Sequence, residues 1–192
     1  MRPLKITGFA LAGAAWLAAA GCLTFPWVPA EPAYTPRGKD YAVELPQGWM
    51  RWNRDEDDDV LVTRDGPALQ VILIVRVRPE HTLKHTKKRL AKGMTPQEAA
   101  EVILDNYQSN PAYTAFEVAE NRPVRISGRP GFRVVFTYRT KDGLKVRNVF
   151  CGVLKDDVLY GLAYSAPQRH YFDKDLRTFE RVVQSFRLPQ GV

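Results

Sequence analysis

The strongest constraint on the fold is a series of three apolar segments in the second half of the chain, each separated from the next by a short turn. Their central sequences are VVFTY (134–138), VFCGVL (149–154) and VLYGLAY (158–164). Apolar residues occupy both alternating positions, whereas a strand with one face in water alternates apolar with polar residues. Turns at 141–143 and 156–157 favour hairpins. The pattern predicts antiparallel strands over 132–139, 144–154 and 158–165, in a sheet covered on both faces.

Four more segments are typical of strands. The segment 41–49 alternates and then turns at Pro46 and Gly48, and 60–66 ends in an Asp-Gly turn. The segment 68–78 is long, β-branched and almost continuously apolar, which favours a strand buried on both faces. The segment 116–126 also favours a strand, with an interruption expected at Pro123.

Two helices complete the predicted fold. Thr95 is placed to cap a helix, Pro96 suits its first position, and Glu98 completes a capping box. Ala99, Val102, Ile103 and Tyr107 would then share one face. A second helix is predicted over 168–184, with a buried stripe formed by Phe172, Leu176, Phe179, Val183 and Phe186. Two helices on an antiparallel sheet predict an α/β fold of the α+β type, an α/β/α sandwich.

The first residues have the features of a bacterial export signal. Arg2 and Lys5 precede an apolar stretch over 6–20, which is shorter than the roughly 20 residues that a spanning helix needs. Two cleavage patterns are present. The run 18–20 suits ordinary signal peptidase, and the run 19–22 resembles the bacterial lipobox, which is cleaved between Gly21 and Cys22. We favour the second, so residues 1–21 are predicted to be a lipoprotein signal peptide.

The lipobox resemblance implies a lipidated Cys22 that anchors the chain to a membrane. Leu23 follows it where lipoproteins retained at the inner membrane usually have Asp, which favours the outer membrane, facing the periplasm. Residues 22–39 contain four prolines and predict an extended tether of up to about 50 Å. The folded domain is predicted over 40–189. Phe25 and Trp27 have two interpretations, contact with the headgroup zone or packing on the domain.

The predicted order of elements resembles the PsbP-like family. The resemblance covers about 40–188 and rests on the turn Pro46-Gln47-Gly48-Trp49 and on Phe179 with Ser185-Phe186. The extrinsic photosystem II subunit, a Ran-binding nuclear import factor and many bacterial lipoproteins share this fold. Members act mostly as non-enzymatic adapters or assembly factors, so the resemblance implies such a role here.

The densest basic segment, KHTKKRLAK over 84–92, is a candidate for contact with an anionic surface or glycan. Its cations are Lys84, Lys87, Lys88, Arg89 and Lys92. The chain as a whole has a net charge of +7, to which Arg2 and Lys5 contribute two. Such a charge also occurs in proteins without an anionic partner, and export argues against a nucleic-acid partner.

Residues with metal-binding or catalytic chemistry are present but lack the spacing that such sites need. His81 and His85 have the spacing of two ligands on one helix face, but lysines surround them and no Glu is adjacent. The acidic run 54–59 does not fit a calcium loop. Ser165, His170, Asp173 and Asp175 lack a nucleophile motif. We therefore predict no cofactor, no metal site and no catalytic residue, and we expect Cys151 to be a buried core thiol.

Two functions remain open from the sequence. The first is a lipid-anchored envelope protein that binds or scaffolds another protein without catalysis. The alternative is an envelope protein that binds a lipid or glycan, or acts on one, through the basic segment 84–92.

Overall fold

The computed structural model describes residues 26–38, 40–53 and 59–189. Gly21 and Cys22, with the predicted signal peptide, lie outside the described residues, as does most of the acidic run. The described residues form ten strands and two helices. They are β1 Trp27–Pro29, β2 Ala33–Tyr34, β3 Val43–Glu44, β4 Met50–Trp52, β5 Val60–Thr63, β6 Val71–Val77, α1 Pro96–Gln108, β7 Thr114–Ile126, β8 Arg129–Arg139, β9 Lys145–Lys155, β10 Val158–Pro167 and α2 Phe172–Ser185.

Eight strands form one antiparallel sheet in the order β1-β4-β5-β6-β10-β9-β8-β7, and β2 pairs with β3 in a small second sheet. The predicted hairpins β8–β9 and β9–β10 are present. Asp156 and Asp157 form the second turn with positive φ values of 52° and 63°, the backbone that a tight hairpin turn requires. The prediction of an α+β fold with a mostly antiparallel sheet is confirmed.

A helix packs on each face of the sheet, as expected from strands that are apolar on both sides. On one face, α1 packs against β7, β8 and β9, and its core includes Ala99, Val102, Ile103 and Phe136. On the other face, α2 packs against β10 and β3. These two sides are called the α1 side and the α2 side below.

The capping box at the start of α1 is present as predicted. Thr95 accepts a hydrogen bond from the Glu98 backbone N–H at 3.3 Å, and Glu98 Oε2 accepts one from the Thr95 N–H at 2.7 Å. These bonds pair two N–H groups that helix geometry leaves without partners.

Replacing Thr95 with alanine is expected to lower the free energy of unfolding by about 1 kcal/mol, since it removes an N-cap acceptor. Urea denaturation followed by circular dichroism measures the change. Thr95→Ser, which keeps a hydroxyl at the cap, should remain close to the wild type. A loss of equal size in both variants would contradict the capping explanation.

Three details differ from the expectation. The 116–126 strand is not interrupted at Pro123, which pairs with Phe132, because β7 is an edge strand, where a missing N–H is tolerated. The last helix begins at Phe172, after a turn, and it buries Val182 more deeply than Val183. The 41–49 strand is reduced to β3, which joins the small sheet rather than the large one.

The segment expected to be a tether contributes two strands to the domain. β1 pairs with β4, so that Trp27 lies opposite Trp52, and Ala33–Tyr34 pairs with β3. The proline in β1 is tolerated because β1 is the other edge of the large sheet. The Trp27 ring packs on Trp52 with ring centroids 4.8 Å apart, so Trp27 is part of the folded domain, and contact of its exposed edge with headgroups stays a prediction. The folded part therefore begins before residue 40, the predicted boundary.

Candidate functional site

The basic segment 84–92 forms an irregular loop on the α1 side. Thr86 and Leu90 are buried, and Leu90 belongs to the α1-side core. The five cations are exposed; they are Lys84, Lys87, Lys88, Arg89 and Lys92. The two inward residues therefore fix the loop, and the cations face outward.

Polar contacts hold this loop to α1 and to a hairpin turn. The His85 N–H donates to Asn106 Oδ1 at 2.9 Å, and the Thr86 hydroxyl donates to an Asp105 carboxylate oxygen. Lys88 Nζ lies 3.5 Å from the other oxygen of Asp105. These bonds hold the pKa of Asp105 below its usual value, chiefly through Thr86. The loop is therefore anchored at both the helix and the hairpin, where the Gly93 N–H donates to Asp157.

His81, which precedes the basic segment, and His85 within it lack the helical arrangement that their spacing suggested. The loop is not helical, so a spacing of four residues does not place His81 and His85 on one face. Across 26–38, 40–53 and 59–189, no group of three or more His, Cys, Asp or Glu side chains is placed to hold a metal ion.

A cleft of about 850 Å³ lies where β8 and β10 end, β9 begins and the chain turns into α2. We call it the end cleft. Three of its cationic side chains are Arg139, Lys145 and Arg169, and none of the lining residues is acidic. The apolar part of the lining is formed by Leu69, Leu144, Pro167 and Tyr171. The end cleft thus combines positive charge with apolar surface, a combination suited to an anionic ligand with an apolar portion.

Hydrogen bonds to backbone carbonyl groups shape the end cleft. Arg139 Nη1 donates to the Gly143 carbonyl at 3.1 Å, so the guanidinium folds over its own hairpin turn. The Gln168 N–H donates to the Lys145 carbonyl at 2.9 Å, which ties the end of β10 to the start of β9. His170 follows with a φ of 69°, the backbone reversal that leads the chain into α2.

A buried polar network lies at the start of α2, beside a second cavity of about 530 Å³. Asp175 is almost fully buried, and its two carboxylate oxygens accept bonds from Arg64 at 2.9 Å and Gln70 at 2.8 Å. Gln70 also donates to Asp65, which is paired with Lys174 at 3.0 Å. The network joins the β5–β6 turn to α2. Arg64 and Asp175 are in the wall of this cavity, with Arg181 and Trp49.

The residues with the chemistry of a catalytic triad are not brought together. Ser165 contacts the Tyr138 hydroxyl on the α1 side, whereas Asp175 is bonded to Arg64 and Gln70 on the α2 side. The sheet therefore separates the serine from the buried carboxylate. Asp173 and Asp175 lie in the first turn of α2, where their charge is favourable at the helix N-terminus.

Cys151 is a buried core thiol, as predicted, and belongs to the α2-side core. Burial raises its pKa to about 12. At neutral pH the group is therefore a protonated thiol, a weak nucleophile that behaves as a small apolar side chain.

The free energy of unfolding is expected to fall as the pH rises above about 9. Below the unfolded-state pKa of Cys151 its contribution is fully present, and it is lost as the pH rises toward the raised folded-state pKa. The loss from this one group is about 1.4 kcal/mol per pH unit. Urea denaturation between pH 8 and 11 measures the slope. Cys151→Ala removes one proton from the difference between the folded and unfolded states, so the slope should become less steep by about 1.4 kcal/mol per pH unit. An unchanged slope would contradict the raised pKa of Cys151.

Sequence reasoning missed the end cleft because its cations come from three separate segments. Arg139 ends β8, Lys145 begins β9, and Arg169 follows β10. A usable signal was present. Antiparallel neighbours place the end of one strand beside the start of the next, so cations at those positions meet at one end of a sheet.

The comparisons support the fold and give a family. CyanoP, the PsbP of Synechocystis sp. PCC 6803, is similar to this chain with a TM-score of 0.59 at 13% identity, over 90% of this chain and 99% of CyanoP. The Ran-binding protein Mog1p of Saccharomyces cerevisiae is similar with a TM-score of 0.56 at 10% identity, over 84% and 96% of the two chains. A Pseudomonas aeruginosa protein of unknown function has a TM-score of 0.54 at 10% identity, over 83% and 97%. The predicted PsbP-like fold is thereby confirmed.

No curated protein matches the sequence. In the part of the chain that the structure describes, neither helix is long and apolar enough to cross a membrane. The family described as the serine/threonine kinase C-terminal domain matches residues 36–188, from the residues before β3 to the end of the last buried segment. That match spans most of the chain, and it includes every residue of both core clusters except Ala30 and Tyr34. This protein therefore belongs to the serine/threonine kinase C-terminal domain family.

Proposed function

We propose that this chain is a non-enzymatic protein-binding module of the bacterial cell envelope, anchored by a lipid on Cys22, whose end cleft holds an acidic segment of its partner. The observation that carries the proposal is the lining of the end cleft, in which cations and apolar side chains meet and no carboxylate is present. Positive charge attracts an acidic partner, and the apolar surface rewards contact with it.

A peptide suits the end cleft for a further reason. Gln168 is in its wall, and the Gln168 Oε1 atom is buried without a hydrogen-bond partner among the described residues. A backbone N–H of a bound segment can supply the missing bond after a small movement of the side chain. A buried acceptor without a partner is costly, so such a bond would favour binding.

The family and the fold are consistent with a role without catalysis. The family description denotes a C-terminal domain of serine/threonine kinases. Two proteins with the same fold are a PsbP and a Ran-binding protein. The alternative function, ligand binding through the basic segment, is less well supported, because its outward-facing cations line none of the five cavities described for this domain.

The membrane anchor is tested by replacing Cys22 with serine in the full chain, expressed in a Gram-negative host. We expect the wild type in the outer-membrane fraction with acyl mass on its first peptide, and the variant in the soluble periplasm. Cys151→Ala is the matched control, because it removes the other cysteine and should leave the protein at the membrane. An unacylated wild type would refute the anchor.

The cleft is tested by photo-crosslinking in cells. A benzophenone amino acid replaces Leu144, which is 41% exposed in the end cleft, or Val118, which is 43% exposed on β7. We expect a discrete adduct from position 144 only. Arg169→Glu should abolish the adduct. Arg78→Glu should not, because Arg78 is an exposed cation that follows β6 at the end of the sheet opposite the end cleft. Equal adducts from both positions would refute the cleft.

A further inference from the structure

One half of the α1 side is not covered by α1. The helix packs on β7, β8 and β9, whereas β1, β4, β5 and β6 form the other half of the sheet. On that half the α1 side carries large apolar side chains that are all half-buried; they are Trp27, Met50, Trp52, Leu61, Leu73 and Val75. We call these six residues the apolar sheet face.

The strand register places these side chains in one continuous surface. Trp27 lies opposite Trp52, Leu61 lies opposite Leu73, and residues directly opposite each other project from the same face. Leu73 and Val75 pack against the α1-side core, so they fix which face this is. Trp27, Met50, Trp52 and Leu61 belong to neither core cluster of the described residues.

The apolar sheet face begins close to the proposed anchor. Trp27 is five residues after Cys22, so their Cα atoms are at most about 18 Å apart even in a fully extended chain. Because β1 holds residues 27–29 in the sheet, the chain has no long spacer that would keep this edge of the domain away from the bilayer. Tryptophan is enriched at the headgroup level of membranes, where its ring is partly buried and its N–H is hydrated.

Positive charge lies on the same side of the sheet. The basic segment 84–92 is fixed to α1 through Thr86 and to the α1-side core through Leu90. Its five exposed cations therefore lie on the same side of the sheet as the apolar sheet face. Anionic headgroups attract such a cluster of cations.

We propose that the anchored domain lies with its α1 side against the bilayer, with Trp27 and Trp52 among the headgroups and the basic segment on anionic lipids. This inference rests on the proposed anchoring of Cys22. The orientation leaves the α2 side facing away from the membrane. A protein partner on the apolar sheet face is the competing occupant, and the experiment below separates the two.

The test uses the full acylated protein in vesicles of phosphatidylcholine and phosphatidylglycerol at 7:3, with or without brominated phosphatidylcholine as a quencher. Trp27, Trp49 and Trp52 are the tryptophans after the predicted cleavage site, and Trp49 is only 4% exposed. We expect the bromines to quench about half of the fluorescence. Trp27→Phe/Trp52→Phe should remove the quenching and leave the circular dichroism unchanged.

Two further variants locate the contact. Lys84→Glu/Lys87→Glu/Arg89→Glu should lower the quenching at least twofold, because it repels the anionic surface. Leu144→Ser, which removes an exposed apolar residue outside the apolar sheet face, should leave the quenching unchanged. Thermal melts confirm that each variant is folded.

The outcomes distinguish this inference from the proposed function. An acylated, vesicle-bound chain without quenching overturns the orientation and leaves the anchor intact. That result would favour the competing occupant, a protein partner on the apolar sheet face. A chain without acyl mass overturns both. Quenching that survives the removal of Trp27 and Trp52 also overturns the orientation.

Discussion

Replacing Gly152 with alanine is expected to lower the free energy of unfolding by about 3 kcal/mol, although the change adds one methyl group. Gly152 lies between Phe132 of β8 and Gly161 of β10 in the register of the sheet. A Cβ atom at this position would lie 2.3 Å from Cζ of Phe132 and 3.0 Å from a methyl of Leu159. Real Cβ atoms do not approach so closely, so the ring or the strand must shift.

The ring has little freedom to move. Phe132 is fully buried beneath α1 and stacks on Phe150, with ring centroids 5.8 Å apart and planes within 4° of each other. Phe150 in turn covers Gly161, where an added Cβ would lie 2.4 Å from its ring. The two glycines therefore let two aromatic rings lie flat on the sheet, and α1 packs on top of them.

Urea denaturation of Gly152→Ala measures the loss, and Gly38→Ala is the matched control. At Gly38 a Cβ would have only ordinary contacts, at 3.5 Å and beyond, and its φ is not in the left-handed region. That control should be close to neutral, or slightly stabilised by the lower entropy of its unfolded chain. Similar losses at both positions would show that crowding by Phe132 is not the cause.

Local signals in the sequence predicted most of the fold. The capping box of α1 and the hairpin turns involve residues within a few positions of each other, so their chemistry is visible in a short window. The apolar pattern of 132–165 required cover on both faces, and a helix lies on each. The resemblance at Pro46–Trp49 was also informative, since Trp49 is buried in the α2-side core.

Pairings between distant segments were not predictable in the same way. β1 contains Pro29 and pairs with β4 more than twenty residues later, so the four prolines of 22–39 indicated an extended spacer rather than an edge strand. The end cleft likewise draws its cations from three segments. The apolar sheet face depends on which strands α1 leaves uncovered, a property of the assembled sheet that no single window of sequence contains.

Replacing Asp175 with alanine is expected to lower the free energy of unfolding by about 2–3 kcal/mol. The role of this residue was not visible in the sequence. Its position in the first turn of α2 suits a negative charge there through the helix dipole, but it does not indicate burial. The side chain is nevertheless almost fully buried and bonded to both Arg64 and Gln70. A bond to a charged group contributes about 1.5–3 kcal/mol. Arg64 is 43% exposed and can be hydrated after the change, which places the loss below that of a fully buried pair.

Thermal and urea denaturation of Asp175→Ala measure this cost, and Asp173→Ala is the control. Asp173 occupies the same first turn and carries the same charge, but it is exposed. Its replacement removes the helix-terminus effect alone, about 0.3–1 kcal/mol. A loss at Asp175 no larger than at Asp173 would contradict the buried network.

Because the network ties the β5–β6 turn to α2 beside the 530 Å³ cavity, Asp175→Ala should also loosen the cavity wall formed by these two elements. Hydrogen exchange of the Gln70 N–H, which is bonded to the Gly66 carbonyl at 3.2 Å, should therefore accelerate in this variant and not in Asp173→Ala.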